Sequence, residues 1–291
     1  MSSANKSPYL VPFDGSFSVS DSHTSPPKHA PAEQECKERL AVLVKELSDL
    51  QEVLYAENKY AVLLVFQAMD AAGKDGTIRA VLTGVNPAGC RVSDFKAPTP
   101  EELDHDFLWR ISLCLPERGT IGVFNRSHYE EVLVARVHPA ILDSENLPYV
   151  SEKKDFWERR YRSIRDYEQH LADNGTVVLK FWLNVSKDEQ KRRFLSRIDE
   201  PQKNWKFSTA DVNERQYWKE YMKAYEEALN ETSRPWAPWH AIPADDKAFM
   251  RITVAEIIVQ SLKELKLSYP VVDDEQRRAI DEMRSRLLNE A

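Results

Sequence analysis

The sequence predicts an α/β domain built on a parallel sheet covered on both faces. Three observations carry this. Apolar, β-branched segments alternate with segments of helical periodicity along most of the chain. One of them, residues 61–66, runs into the small-residue loop Gln67-Ala68-Met69-Asp70-Ala71-Ala72-Gly73-Lys74-Asp75-Gly76-Thr77, from which a helical pattern leaves. Third, 291 residues with 42% hydrophobic and 30% charged content suffice for a sizeable core. A strand, a tight loop carrying Gly-Lys and then a helix form a natural phosphate site. The helix start offers unpaired N–H groups and a positive dipole end to an anion.

Composition narrows the class. No apolar run approaches the roughly 18 residues of a membrane helix, and the N-terminal stretch lacks a charged-then-apolar signal pattern. Cys36, Cys90 and Cys114 are widely spaced and odd in number, which fits a reducing cytoplasm. A formal net charge of −7 argues against a nucleic-acid coat, whereas a local basic groove could still hold a polyanion.

The elements follow in order. Residues 1–30, rich in Ser and Pro, read as a flexible or draped arm. Leu40, Leu43, Val44, Leu47, Leu50 and Leu54 recur at helical spacing within 31–58. Helix is expected over 77–85, stopped by Asn86-Pro87-Ala88-Gly89, then a strand over 90–95. Thr99-Pro100-Glu101-Glu102 starts a helix expected to reach residue 115. A strand follows over 120–124, a helix over 130–137, a long helix over 151–174 and a strong strand over 176–185. Ser186 caps a helix that Pro201 ends; another is expected over 209–229. An edge strand near 239–243 and helices over 246–265 and 273–291 close the chain. We read 31–270 as one domain with a helical lid at about 187–215, and 271–291 as a C-terminal helix.

The loop departs from the pattern G-x-x-x-x-G-K-[ST]: Ala68 replaces the first glycine, and Asp75 the hydroxyl residue. Asp70 inside the loop would repel phosphate unless a cation lay between them, so it reads as a magnesium ligand. Asn125 ends the 120–124 strand where an acidic metal ligand is common, as a neutral donor or simply a turn former. Arg126 sits at a strand end facing the ligand crevice, and Arg136 lies ten residues on; both read as phosphate-gripping or as surface arginines. Glu130 and Glu131 either orient the metal, the nucleotide or an arginine, or form a solvated helix start. Residues 187–207 carry seven basic and four acidic side chains, with Arg193 and Arg197 four apart on one helical face. That is the look of a mobile, phosphate-gripping lid, and also of an ordinary solvated face. The histidines show no ligand spacing, and Trp236 and Trp239 read as packing.

Several motifs together resemble the type-2 polyphosphate kinases. They are Met69 through Thr77, Phe95-Lys96-Ala97-Pro98, Asp104 through Arg110, Phe124 through Glu131, and Asn204-Trp205-Lys206-Phe207-Ser208. The resemblance spans about residues 40–270. It implies a three-layer P-loop kinase fold like that of thymidylate kinases. It implies magnesium, with manganese as its substitute, and transfer between inorganic polyphosphate and nucleotides, with adenine preferred over guanine. Carried over by position, Asp70 and Asn125 would hold metal and Lys74 would contact the transferred phosphoryl group. Arg126 and Arg136 would bind phosphates. Ala71, Ala72, Gly73, Asp75, Gly76, Thr77 and Lys96, with Glu130 and Glu131, would line the nucleotide and phosphate site. Arg193, Arg197, Lys206 and Asp211 would belong to the lid. Asn125 with the following Tyr129-Glu130-Glu131 resembles the subgroup called class III, which accepts nucleoside monophosphates as well as diphosphates. The family also implies homodimers or homotetramers. An ATP-dependent nucleotide or nucleoside kinase and a non-catalytic phosphate sensor are the competing readings.

Overall fold

The computed structural model describes residues 6–145, 147–148 and 153–290. Its centre is β1 (Ala61–Ala68), whose residues 61–67 are all buried, as a strand covered on both faces must be. It pairs in parallel with β3 (Ile121–Asn125) and β4 (Thr176–Asn184). The strands β2 (Cys90–Asp94) and β5 (Trp239–Pro243) pair in parallel outside these, giving the order β2-β3-β1-β4-β5. The chain therefore reverses its direction of winding at β1, and the crevice outside its C-terminal end is where such sheets hold ligands. Register places Phe66 beside both Asn125 and Phe181, and the Phe66 and Phe181 rings stack at 5.0 Å.

Helices close both faces. The 25-residue α1 (Glu33–Glu57) packs with α2 (Lys74–Leu82) and α11 (Lys247–Glu264) on one side. Between them in sequence lie α3 (Pro100–Leu103), α4 (Trp109–Ser112), α5 (Glu130–Val137), α6 (Ile141–Ser144) and α7 (Lys153–Asp173). They are followed by α8 (Lys187–Asp199), α9 (Thr209–Glu214) and α10 (Trp218–Thr232). Of these α5, α7 and α10 pack on one another and form the second layer. The expected start of α7 at Ser151 lies outside the described residues.

Two expected helices are broken. The helix begun at Thr99 has its capping box with Glu102 but stops at Leu103. Asp106 Oδ1 accepts from Leu108 N–H at 2.9 Å, and the chain restarts as α4. Short polar side chains at 104–106 compete with the helical backbone, which apolar periodicity alone does not register. The helix expected over 209–229 is interrupted by a 3₁₀ turn at Arg215–Tyr217.

Within the arm, residues 7–25 contact the body of the domain at several points. Leu10 bridges antiparallel to His240 on the outer edge of β5, and Val11 is fully buried. Asn230 and Glu226 side chains accept from Phe17 and Val19 N–H. Apolar Tyr9, Val11, Phe17 and Val19 supply the burial that the Ser/Pro composition hid. The C-terminal α12 (Asp274–Leu288), capped by Asp273, is exposed along its length.

One buried network lies beneath the sheet. Lys180 donates to Glu168, to Tyr129 Oη at 2.8 Å and to Thr232 O at 2.9 Å, all solvent-free. Burial pulls its ammonium down to about 8. Removing either charge would leave the other unpaired inside the core, at a cost of about 3–5 kcal/mol. Trp239 sits on the same cluster through its Nε1–H bond to Thr232, so this tryptophan is core packing.

Candidate active site

The loop after β1 turns tightly, with Ala72 N–H donating to Met69 O at 3.1 Å. Ala71 (φ 61°) and Gly73 (φ 104°) are left-handed, and Gly73 is the N-cap of α2. The amides at the start of α2 thus open toward the C-terminal strand ends. At the neighbouring strand end Arg126 is also left-handed (φ 63°), and its N–H donates to Phe66 O at 3.1 Å. Non-glycine residues in this region cost about 1 kcal/mol or more and are held there by their surroundings. Two such residues side by side mark this crevice.

Its electrostatics are tightly interlocked. Arg126 Nη2 donates to Asp70 Oδ1 at 2.8 Å. Burial raises the Asp70 carboxyl, with Arg126 opposing and Asp211 adding to the rise. Burial lowers the Lys74 ammonium, and Arg126 lowers it further against the pull of Asp75, Glu130 and Asp70. Burial also raises Glu130, with Arg126 and Lys74 opposing. Beneath them the buried Tyr225 feels both Glu130 and Asp70. Cations and carboxylates are thus packed closer than water would hold them, which is a common mark of a charge-handling site.

The donors also suit a hard cation. Asn125 Nδ2 donates to Asp75 Oδ1 at 3.1 Å, but Asn125 Oδ1 is buried with no hydrogen-bond partner. An orphaned oxygen beside a carboxylate is what an oxygen-seeking ion takes. Among the described residues no three His, Cys, Asp or Glu side chains gather as a ready metal cage. A divalent cation held by one or two of these oxygens fits that arrangement.

The structure sorts the remaining expected residues. Asp75, Gly76 and Thr77 line the first turn of α2, but the Thr77 hydroxyl is turned inward onto Gly73 O at 3.0 Å. A Cβ on Gly76 would stand 3.4 Å from Arg251 Nη2. Arg197 reaches Lys206 O at 3.2 Å and Asp211 Oδ2 at 3.5 Å, at the rim near Asp70. Lys206 is exposed over the Trp205 ring, and Lys96 is exposed past β2.

Three residues are not where the spacing put them. Arg136 pairs with Glu227 at 2.8 Å and lies over Trp157, turned by α5 toward the second helical layer instead of the loop. Glu131 points away from Glu130 into a cluster with Arg160 and Glu145, where burial and then Glu145 push it up to about 7. Arg193 is 6% exposed and lies under the loop, bonded to the carbonyls of Ala71 and Ala72. Gln190, which the sequence reading passed over, donates to Asp70 O at 2.8 Å. Its only sequence signal is its place one turn before Arg193.

Residues 31–269 match the family model described as Polyphosphate kinase 2 (PPK2). The chain belongs to the polyphosphate kinase 2 family. Over 252 residues it is 59% identical to an "ADP-polyphosphate phosphotransferase" of Rhodopseudomonas palustris, covering 86% of this chain and 87% of that protein. It is 48% identical over 237 residues to an "AMP/ADP-polyphosphate phosphotransferase" of Meiothermus ruber, covering 81% and 85%. The crystal structure of polyphosphate kinase 2 from Arthrobacter aurescens TC1 superposes with a TM-score of 0.86 at 39% identity, covering 97% of each chain. As a polyphosphate kinase 2, the chain has the P-loop kinase fold that the family resemblance implied. No helix among its described residues is long and apolar enough to cross a membrane.

Proposed function

We propose that this polyphosphate kinase 2 transfers phosphoryl groups from inorganic polyphosphate to ADP and AMP, reversibly and in line. The observation that carries it is the convergence of Lys74, Arg126 and Asp70 at one phosphate loop, with the basic segment 187–206 beside it. The acceptor's phosphate oxygen is already ionised at neutral pH, so positioning and charge stabilisation suffice. Lys74 takes the transferred group's charge, and its burial makes that attraction stronger than in water. Arg126, now paired with Asp70, supplies a planar fork for phosphate oxygens on the acceptor side. Asp70 and Asn125 would hold a magnesium ion, which would supply positive charge to offset that of the phosphates. Arg197 and Lys206 line the rim along which a long polyanion approaches.

Asn125 with the following Tyr129-Glu130-Glu131 supports the class III reading, in which AMP as well as ADP is accepted. Adenine is the favoured base, the cytoplasm the location, and a homodimer or homotetramer the assembly. Purified protein with magnesium, polyphosphate and AMP or ADP should form ATP. Formation from ADP alone would confine the activity to diphosphates. No ATP from either acceptor would overturn the proposal, and turnover only with ATP as donor would replace it with an ATP-dependent kinase.

A further inference from the structure

The loop holds a left-handed Ala71 and lacks a glycine at position 68, so its backbone is less free than that of a glycine-rich loop. Something outside it must fix its shape. Three successive loop carbonyls, those of Asp70, Ala71 and Ala72, all face α8. Gln190 Nε2 donates to Asp70 O at 2.8 Å. Arg193 Nη1 donates to Ala71 O at 3.2 Å and to Ala72 O. The same guanidinium sends Nη2 to Ala244 O at 2.6 Å and Asp245 O at 3.2 Å, and Nε to Glu189 at 2.6 Å. Arg193 thereby staples the loop after β1 to the segment after β5. With its donors spent on carbonyls and Glu189, and only 6% of it exposed, its role is unlike that of a phosphate-gripping arginine.

We propose that Gln190 and Arg193 are positioning residues that set the phosphate loop from behind. In a planar trans peptide the N–H points opposite to the C=O. Drawing the Asp70 and Ala72 carbonyls toward α8 turns the N–H groups of Ala71 and Gly73 to the other side, toward the phosphate crevice. The same helix carries the lid. Arg197, one turn beyond Arg193, bonds Lys206 O, and Arg215 from beyond α9 donates to Gln190 Oε1 at 2.5 Å. The arginine fixes the Gln190 amide so that its NH₂ faces the loop. Both ends of the lid segment thus meet the loop through α8.

The inference rests on the proposed polyphosphate reaction, which the parent enzyme's turnover tests separately. Arg193→Lys keeps the charge but cannot span two pairs of carbonyls. Steady-state kinetics with polyphosphate varied at saturating ADP should show kcat reduced about ten- to a hundredfold, the scale of a misplaced catalytic group. The KM for polyphosphate should stay within about threefold, since no phosphate contact is lost. Gln190→Met, which removes one loop bond and the Arg215 acceptor, should show the same split, and it decides the matter should Arg193→Lys not fold. A parent-like kcat in a folded variant, or a loss confined to the KM for polyphosphate, overturns the proposal while leaving the parent's activity untouched.

Discussion

Asn125→Asp is the most informative single substitution, because an added carboxylate could either repel its neighbours or tighten metal binding, and the geometry separates the two. Asn125 Nδ2 donates to Asp75 Oδ1 across 3.1 Å. Aspartate would set two carboxylate oxygens at that separation. Two unit charges so placed repel by about 1 kcal/mol in water and about 5 kcal/mol at an effective dielectric of 20. Asp75 is exposed, which favours the lower figure, while the other oxygen of residue 125 is buried, which raises it. Adding about 1 kcal/mol for the lost hydrogen bond gives a destabilisation of roughly 2–3 kcal/mol. A divalent cation bound between the carboxylates reverses the sign, so the loss belongs to the metal-free protein. Urea unfolding followed by tryptophan fluorescence should show the variant about 2–3 kcal/mol weaker than the parent in EDTA and restored in magnesium chloride. Equal stability in EDTA would refute the Asn125–Asp75 contact as described, and a loss that magnesium leaves untouched would remove residue 125 from the proposed cation site.

Other outcomes can be checked alongside. Lys74→Ala should lower turnover at least about a hundredfold while the urea midpoint holds or rises, because burial already disfavours the ammonium; turnover within a few-fold of parent would remove Lys74 from the chemistry. Gly73→Ala should cost about 1–2 kcal/mol in thermal unfolding from its left-handed backbone, since the new Cβ meets only the flexible tip of Met250 at 3.2 Å and Arg193 Nη1 at 3.5 Å; an unchanged melting curve would contradict that backbone. Glu131 binds its proton more tightly folded, at about 7, than unfolded at 4.5. Its contribution to stability is therefore full below pH 4.5 and lost as pH rises through 7, by up to about 3 kcal/mol. Glu131→Gln should flatten the fall in melting temperature between pH 5 and pH 8, and a slope equal to the parent's would show that Glu131 does not drive it.

Residues whose position follows from local backbone form were legible in the sequence. Asp70, Lys74 and Arg126 sit where strand, turn and helix starts must place them, whatever the rest of the chain does. Arg193 and Arg197 look alike in sequence, both basic and on one helical face, yet one is buried under the loop and the other stands at the rim. Only the packing of α8 against the loop after β1 separates them. Glu130 and Glu131 are adjacent, and a helix turns neighbours about 100° apart, so one faces Lys74 and the other Arg160. Arg136 illustrates the same limit, since its helix directs it to Glu227. Gln190 is neutral, and its one signal, a place one turn before Arg193, gains meaning only once Arg193 is known to lie under the loop. Lys180 carried a plainer one: a lysine inside a strand rich in β-branched and aromatic residues requires a buried partner, and Glu168 is it.

The draped arm bears on how the chain reaches its native state. Ser233 Oγ donates to Val11 O across 222 positions of sequence, and Phe17 meets Asn230 across 213. Leu10 bridges His240 on β5, the last strand of the sheet in chain order. During synthesis residues 7–25 therefore wait, unpaired, while nearly the whole sheet forms. Contacts of such separation form late, after the loop-closure entropy of the intervening chain has been met. Until then the outer edge of β5 stands open to pair with another chain. The arm is thus the closing step of folding and the guard on the β5 edge of the sheet, so aggregation during refolding should depend on whether residues 7–25 are present.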